Sequence, residues 1–279
     1  MEKAFKEREM WRFEGGRGEP DSDVVADEYP LTLMINGEEF ATLVCTPLNL
    51  EELVIGFLAS EGVIRRVEDI NSLSIDQDRG FAYVEMDRMP TAEVKSDKRW
   101  ISSCCGKSRS FYFQNDAKTA KTVISHVTIT PEQCESLMKA FQQSSGLFHE
   151  TGGVHQASIA SVDGLEYGYE DIGRHNALDK LYGYVLREKI ALKNKIVIFS
   201  GRISSEVLLK VSKMGVGLIL SKSASTHLAL ELAEDLNITA IGFVRKDRMN
   251  VYTHPHRVVD TYIEENNRDE KGGIPIDGA

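Results

Sequence analysis

Apolar positions change period along this chain, and the changes mark its elements. Leu31, Leu33 and Ile35 alternate, Asn36-Gly37 follows, and Phe40, Leu43 and Val44 resume. That is a β-hairpin signal, because Asn-Gly supplies the two positive-φ residues of a type I′ turn. Asn49 then precedes Leu50-Glu51-Glu52, with Leu53, Ile55, Phe57 and Leu58 behind. This predicts a helix capped by Asn49, with Glu52 reaching back in a capping box and Gly62 as the stop. Residues 73–75 and 81–86 read as a second strand pair around Asp78-Arg79-Gly80. A helix opens at Thr130-Pro131-Glu132-Gln133, where Thr130 suits the cap and Pro131 the first turn. Leu137, Met138 and Phe141 share one face of it, and Gly146 closes it.

Beyond residue 153 strand and helix patterns alternate. Strands are predicted at 154–162, 196–199, 216–220, 238–243 and 250–253, and helices at 176–186, 204–214 and 226–236. Such alternation argues for a mainly parallel sheet with covering helices. The fold class expected is therefore α/β, α+β overall. A loose arm (1–25) leads into a small sheet-plus-helix domain (26–122). An α/β domain (123–262) and a disordered tail (263–279) follow, with a charged linker near 87–98 inside the first domain.

Composition narrows the function. The 279 residues suit two domains, and 42% apolar with 27% charged residues is ordinary for a globular protein. The net charge of −10 argues against binding a nucleic-acid backbone, though not against a local basic pocket. No run of about 18 apolar residues exists, so no membrane span is expected. The charged opening residues lack the apolar centre of a secretory signal, which points to the cytoplasm. Four cysteines are too few for a disulfide scaffold. Cys45 ends a strand-like run and Cys134 lies in a helix-like one, so both read as small packed hydrophobes.

The candidate chemistry falls into six segments. Ser102-Ser103-Cys104-Cys105-Gly106-Lys107 pairs two thiols with a cation and a flexible glycine, conditions that favour thiolate. A thiolate here can carry a persulfide sulfur; the same pair can equally line a loop or share a metal. Thr151-Gly152-Gly153-Val154-His155 allows close backbone approach to a ligand, beside a histidine that can donate, transfer a proton or simply serve the fold. The string from Glu170 to Lys180 is the densest. Gly173, Arg174, His175 and Asn176 would cradle a phosphate at a helix start, with Glu170 and Asp171 holding a sugar or guanine edge; a solvated, capped helix start is the alternative. Ser200-Gly201-Arg202, Ser221-Lys222-Ser223 and Phe243-Val244-Arg245-Lys246-Asp247-Arg248 each follow a strand, where open α/β sheets bind ligands. Together the three suggest an anionic, nucleotide-bearing ligand.

In order, these segments resemble the formate dehydrogenase accessory sulfurtransferase (FdhD) family. The resemblance rests on Glu52-Leu53-x-x-Gly56-Phe57-Leu58-x-x-Glu61-Gly62, the cysteine loop, Thr151-Gly152-Gly153-x-His155, Glu170-Asp171-x-Gly173-Arg174-His175-Asn176-Ala177-x-Asp179-Lys180, Ser200-Gly201-Arg202-x-Ser204-x-Glu206 and Gly242-Phe243-x-Arg245. It implies a carrier that takes sulfur as a persulfide from a cysteine desulfurase. The sulfur would pass to the bis(molybdopterin guanine dinucleotide) cofactor before that cofactor enters formate dehydrogenase. It further implies a homodimer, a cytidine-deaminase-like C-terminal domain, and contact between 243–248 and the cofactor. Many members carry C-G-x-C-G where this chain has Cys104-Cys105-Gly106-Lys107-Ser108. One register makes Cys104 the persulfide carrier and the other makes it Cys105. Zinc-dependent deamination, the enzyme rival, lacks its P-C-x-x-C pair. A carrier that holds the cofactor without moving sulfur is the second rival.

Overall fold

The computed structural model describes residues 4–87, 100–101 and 122–259. Cys104, Cys105, most of the expected linker and the expected tail lie outside the described residues. The chain is mixed α/β, with thirteen strands and six α-helices among the described residues.

The segment expected to be a loose arm is instead paired. β1 (Phe5–Glu14) and β2 (Arg17–Ala26) form an antiparallel ribbon that turns at Gly15-Gly16, both at positive φ. Its pattern hid it because neither face meets a core: Trp11 and Phe13 are 65% and 72% exposed. Charge pairs across the strands, such as Arg12 with Asp21 at 2.5 Å, replace apolar alternation.

The next strands make a five-stranded sheet in the order β5-β6-β3-β4-β7. β3 (Tyr29–Ile35) and β4 (Glu38–Cys45) are the predicted hairpin, with Asn36 and Gly37 at φ 49° and 81°. β5 (Ser72–Asp76) and β6 (Phe81–Glu85) are the second pair, and β7 (Trp100–Ile101) runs parallel to β4. Helix α1 (Leu50–Ser60) has the predicted extent, and Gly62 follows it at φ 74°. Its start differs from expectation. Asn49 sits in the left-handed region with no side-chain cap, and Glu52 is buried against Arg187 at 2.8 Å. A tertiary ion pair has taken the carboxylate that the capping box required.

The second sheet has the order β13-β12-β11-β10-β8-β9. Its strands are β8 (His155–Ser161), β9 (Gly164–Asp171), β10 (Ile196–Phe199), β11 (Leu218–Ser221), β12 (Thr239–Arg245) and β13 (Arg248–Val251). Only β10, β11 and β12 run parallel; β8, β9 and β13 are antiparallel additions. The sheet is thus less parallel than expected, because β8–β9 and β12–β13 are joined by turns too short for a crossover. Helices α2 (Pro131–Gln143), α3 (Gly146–Thr151), α4 (Arg174–Arg187), α5 (Ser205–Met214) and α6 (His227–Asp235) complete it. The Thr130–Gln133 capping box closes in both directions, at 3.3 Å and 2.9 Å. Gly146 does not end α2, which stops at Ser144; it opens α3. Both faces of the parallel strands are covered, which accounts for their unbroken apolar runs. Ile196 and Ile198 pack with Leu137, Met138 and Phe141 of α2, while Val197 and Phe199 face α4 and α5.

The core on the Val197 and Phe199 side continues without a break into the five-stranded sheet through α1 and α4. A Cβ at Gly56 of α1 would lie 1.7 Å from the Asp179 carbonyl oxygen, and one at Gly183 of α4 would lie 1.9 Å from that of Glu52. The two helices therefore touch backbone to backbone. Gly56→Ala and Gly183→Ala should each cost about 3 kcal/mol or more by overpacking, read as a lower urea midpoint. An ordinary helix-interior glycine would instead gain roughly 0.5–1 kcal/mol from the same change, so a stabilised variant would contradict the close crossing.

Candidate functional site

Strand order brings the sequence-predicted loops to one rim. Phe199 pairs with Ser221 and with Ala157, Leu220 pairs with Ile241, and His155 pairs with Asp171. The carboxyl ends of β10, β11 and β12 therefore sit beside the start of β8 and the end of β9. Hydrogen bonds join the loops in series. Ser221 Oγ donates to the Gly201 carbonyl at 2.7 Å, Ile203 N–H to that of Ala224 at 3.0 Å, and Phe243 N–H to that of Ser223 at 3.1 Å. Gly201 is pressed between neighbours: a Cβ there would lie 3.0 Å from the Phe199 ring and 3.5 Å from Arg174 Cβ.

The string from Glu170 to Lys180 divides into structural and available residues. Asp171 is fully buried and ion-paired with Lys180 at 2.7 Å. It also accepts the Thr46 N–H and hydroxyl, both at 3.0 Å, the Gly173 N–H at 2.7 Å and the Asn176 amide at 2.9 Å. Lys180 donates to Thr46 Oγ1 at 2.6 Å, and Asn176 to the Val44 carbonyl at 2.8 Å. Asp179 takes Ser60 Oγ at 2.6 Å and Lys210 Nζ at 2.5 Å. Glu170 accepts the N–H groups of Leu147 and Phe148 at the start of α3, and the Ser145 hydroxyl. The expectation that Glu170 and Asp171 hold a sugar or guanine edge is therefore corrected: both carboxylates are committed to the fold. Asn176 likewise faces inward rather than toward an open cradle. Removing one member of such a buried pair costs about 3–5 kcal/mol, since a charge is left without its partner.

Arg174 and His175 remain at the rim, whereas Gly173 is buried with its N–H committed to Asp171, so its expected place in a phosphate cradle is corrected too. Arg174 Nε is buried with no protein partner among the described residues, an unusual state for a donor. His175 Nε2 lies 3.1 Å from a Glu206 carboxylate oxygen, tying α4 to the first turn of α5. The Ser204-x-Glu206 motif thus supplies a carboxylate partner for His175 that no local sequence pattern announces. Arg202, Lys222, Arg245, Lys246 and Arg248 are exposed around the rim, giving an acidic protein one cationic edge. Phe243 and Asp247 have positive φ, at 52° and 58°, and turn the chain around a β-bulge. Val244 departs from expectation: it is buried against the α2 side of the sheet. Ser223 N–H donates to Ser221 Oγ at 2.9 Å. The paired glycines also serve the chain itself. Gly152 closes α3 in the left-handed region, and Gly153 clears Ala26 at the root of the ribbon.

Cys45 and Cys134 are fully buried, as their patterns predict. Burial pushes the Cys134 thiol up to about 12 and raises that of Cys45, with buried Asp171 adding to the effect on Cys45. Neither suits thiolate chemistry near neutral pH. Among the described residues no group of three His, Cys, Asp or Glu could hold a metal ion.

The sequence model of the FdhD/NarQ family matches residues 26–259. The chain belongs to the FdhD/NarQ family. It is similar to the proteins named sulfur carrier protein FdhD of Bacillus subtilis (strain 168), at 55% identity, and of Geobacillus kaustophilus, at 54%. Those matches cover 90% and 92% of this chain, and 96% and 98% of the relatives. A crystal structure from Desulfotalea psychrophila, of a protein provisionally described as a formate dehydrogenase accessory protein, superposes with a TM-score of 0.74. It is 24% identical and covers 92% of this chain and all of its own, which establishes the shared fold. The family match begins at Ala26, where β2 ends, so the ribbon precedes it.

His155, at the rim, lies with Nδ1 3.2 Å from Ser200 Oγ. Burial and then the nearby Arg174 charge lower its pKa below the ordinary value of 6.5, with Asp171 opposing. The unfolded chain therefore binds the extra proton first, and stability should fall as the medium is acidified below that ordinary value. Denaturation from pH 7.5 down to 5 checks this. His155→Gln should flatten the slope, and an unchanged slope would assign it to other groups.

Proposed function

We propose that this protein is a sulfur carrier for formate dehydrogenase maturation. In this reading Cys104 or Cys105 accepts sulfur as a persulfide from a cysteine desulfurase. The sulfur then passes to the bis(molybdopterin guanine dinucleotide) cofactor, held as cargo at the cationic rim, before that cofactor enters the dehydrogenase. The observation that carries it is the near-full-length similarity to relatives named sulfur carriers. The burial of Cys45 and Cys134 supports it, since it leaves positions 104 and 105 for the thiol chemistry. The cargo carries phosphates, and the rim offers Arg174, Arg202, Arg245 and Lys246, with Arg174 Nε lacking an acceptor among the described residues. Arginine suits phosphate through paired, charge-assisted hydrogen bonds. A homodimer working in the cytoplasm, with no resident metal of its own, completes the reading.

Incubation with a cysteine desulfurase and cysteine should add the mass of one sulfur to the intact protein, removable by reductant. Cys104→Ala/Cys105→Ala should abolish the gain. A gain that survives in the double variant would move the carrier site elsewhere. Arg245→Ala/Lys246→Ala should weaken GDP binding about tenfold or more by calorimetry, as charge-assisted bonds are lost. Unchanged affinity would remove the guanine nucleotide from this rim.

A further inference from the structure

Ser200 stands between two groups of the β8 start. Its Oγ accepts the Gln156 N–H at 2.9 Å and lies 3.2 Å from His155 Nδ1. A serine hydroxyl has two lone pairs and one proton. Gln156 occupies one lone pair. Among the described residues the proton meets one acceptor, the ring nitrogen of His155. Were Nδ1 protonated instead, it would take the second lone pair and the serine proton would have no acceptor among the described residues. The N–H of Gln156 also polarises the hydroxyl, which makes it a better donor. The ring has little call for a second proton. It is partly buried and close to the Arg174 cation, and the carboxylate of Asp171, its partner across the β8–β9 pair, is itself paired with Lys180 at 2.7 Å.

We propose that Ser200 is a positioning residue that fixes His155 in the neutral Nε2–H tautomer, so that the imidazole offers the rim an uncharged hydrogen-bond donor. This rests on the reading of the rim as the seat of a phosphorylated ligand, whose oxygens are acceptors. A neutral donor beside Arg174 adds a directed hydrogen bond without adding charge. It makes His155 a recognition element for a phosphate or carbonyl oxygen rather than a base. Neither motif carries this on its own: His155 and Ser200 are 45 positions apart and meet because β8 and β10 are neighbours.

Long-range ¹⁵N–¹H correlation spectra of the histidine-labelled full chain at pH 7.5 read the tautomer directly. Wild type should show Nε2–H at His155. Ser200→Ala should give a mixture of tautomers and several-fold weaker GDP binding by calorimetry, and Ser200→Thr, which keeps the hydroxyl, should restore both. Circular dichroism melting of each variant separates a folding defect, because Ser200 also holds the Gln156 N–H. An Nδ1–H tautomer in the wild type overturns the proposal, and so does an unchanged tautomer in a folded Ser200→Ala. Failure of the wild type to bind GDP counts against the nucleotide reading alone, since the spectra still decide the role of Ser200.

Discussion

The structure depends on one close crossing, where Gly56 of α1 meets α4 and Gly183 of α4 meets α1 with no room for a methyl group. Two helices at that distance bring their flanking side chains into register. Arg187 reaches Glu52, Ser60 and Lys210 converge on Asp179, and Thr46 completes the shell of Asp171 and Lys180. Each of these polar contacts joins the first sheet's half of the chain to the second, or braces a residue that does. Buried charges survive here because each is ion-paired and hydrogen-bonded within the protein. Nonpolar replacements of similar volume can match such pairs in stability. What the ionic network adds is a fixed seat for the start of α4.

That seat positions the rim. Asp171 holds the Gly173 N–H and the Asn176 amide, which orients the first turn of α4 and presents Arg174 and His175 at the sheet edge. Glu206 meets His175 from the next helix. Serine-to-carbonyl and backbone bonds then pass from the β10 loop to the β11 loop and on to the β12 loop. The densest string in the sequence thus does two jobs. Its carboxylates and lysine build the platform, and its arginine and histidine occupy the surface.

What the chain discloses in advance follows the range of each interaction. The Asn36-Gly37 turn, the Thr130 capping box and the β10 run depend on neighbours within a few residues, and all three stand as expected. So does the packing of Cys45 and Cys134, which apolar periodicity announces. The uses of Glu170 and Asp171 are not legible in advance, because the Glu170 carboxylate is taken by Ser145, Leu147 and Phe148 and that of Asp171 by Thr46, 125 positions away, and no local pattern reveals such partners. Asn49 and Glu52 failed as a cap for the same reason, since Arg187 competes for the carboxylate. The ribbon escaped because its strands alternate against solvent, leaving no apolar period to read. Val244 sat within a polar loop motif, yet strand pleating turned it inward.

Sulfur delivery through the cysteine pair is the central claim, and maturation of the client tests it most directly. In a strain lacking this protein, Cys104→Ala/Cys105→Ala should remain folded and bind GDP while formate dehydrogenase stays inactive. Full recovery of dehydrogenase activity with the double variant would contradict sulfur transfer and leave a carrier that only holds the cofactor.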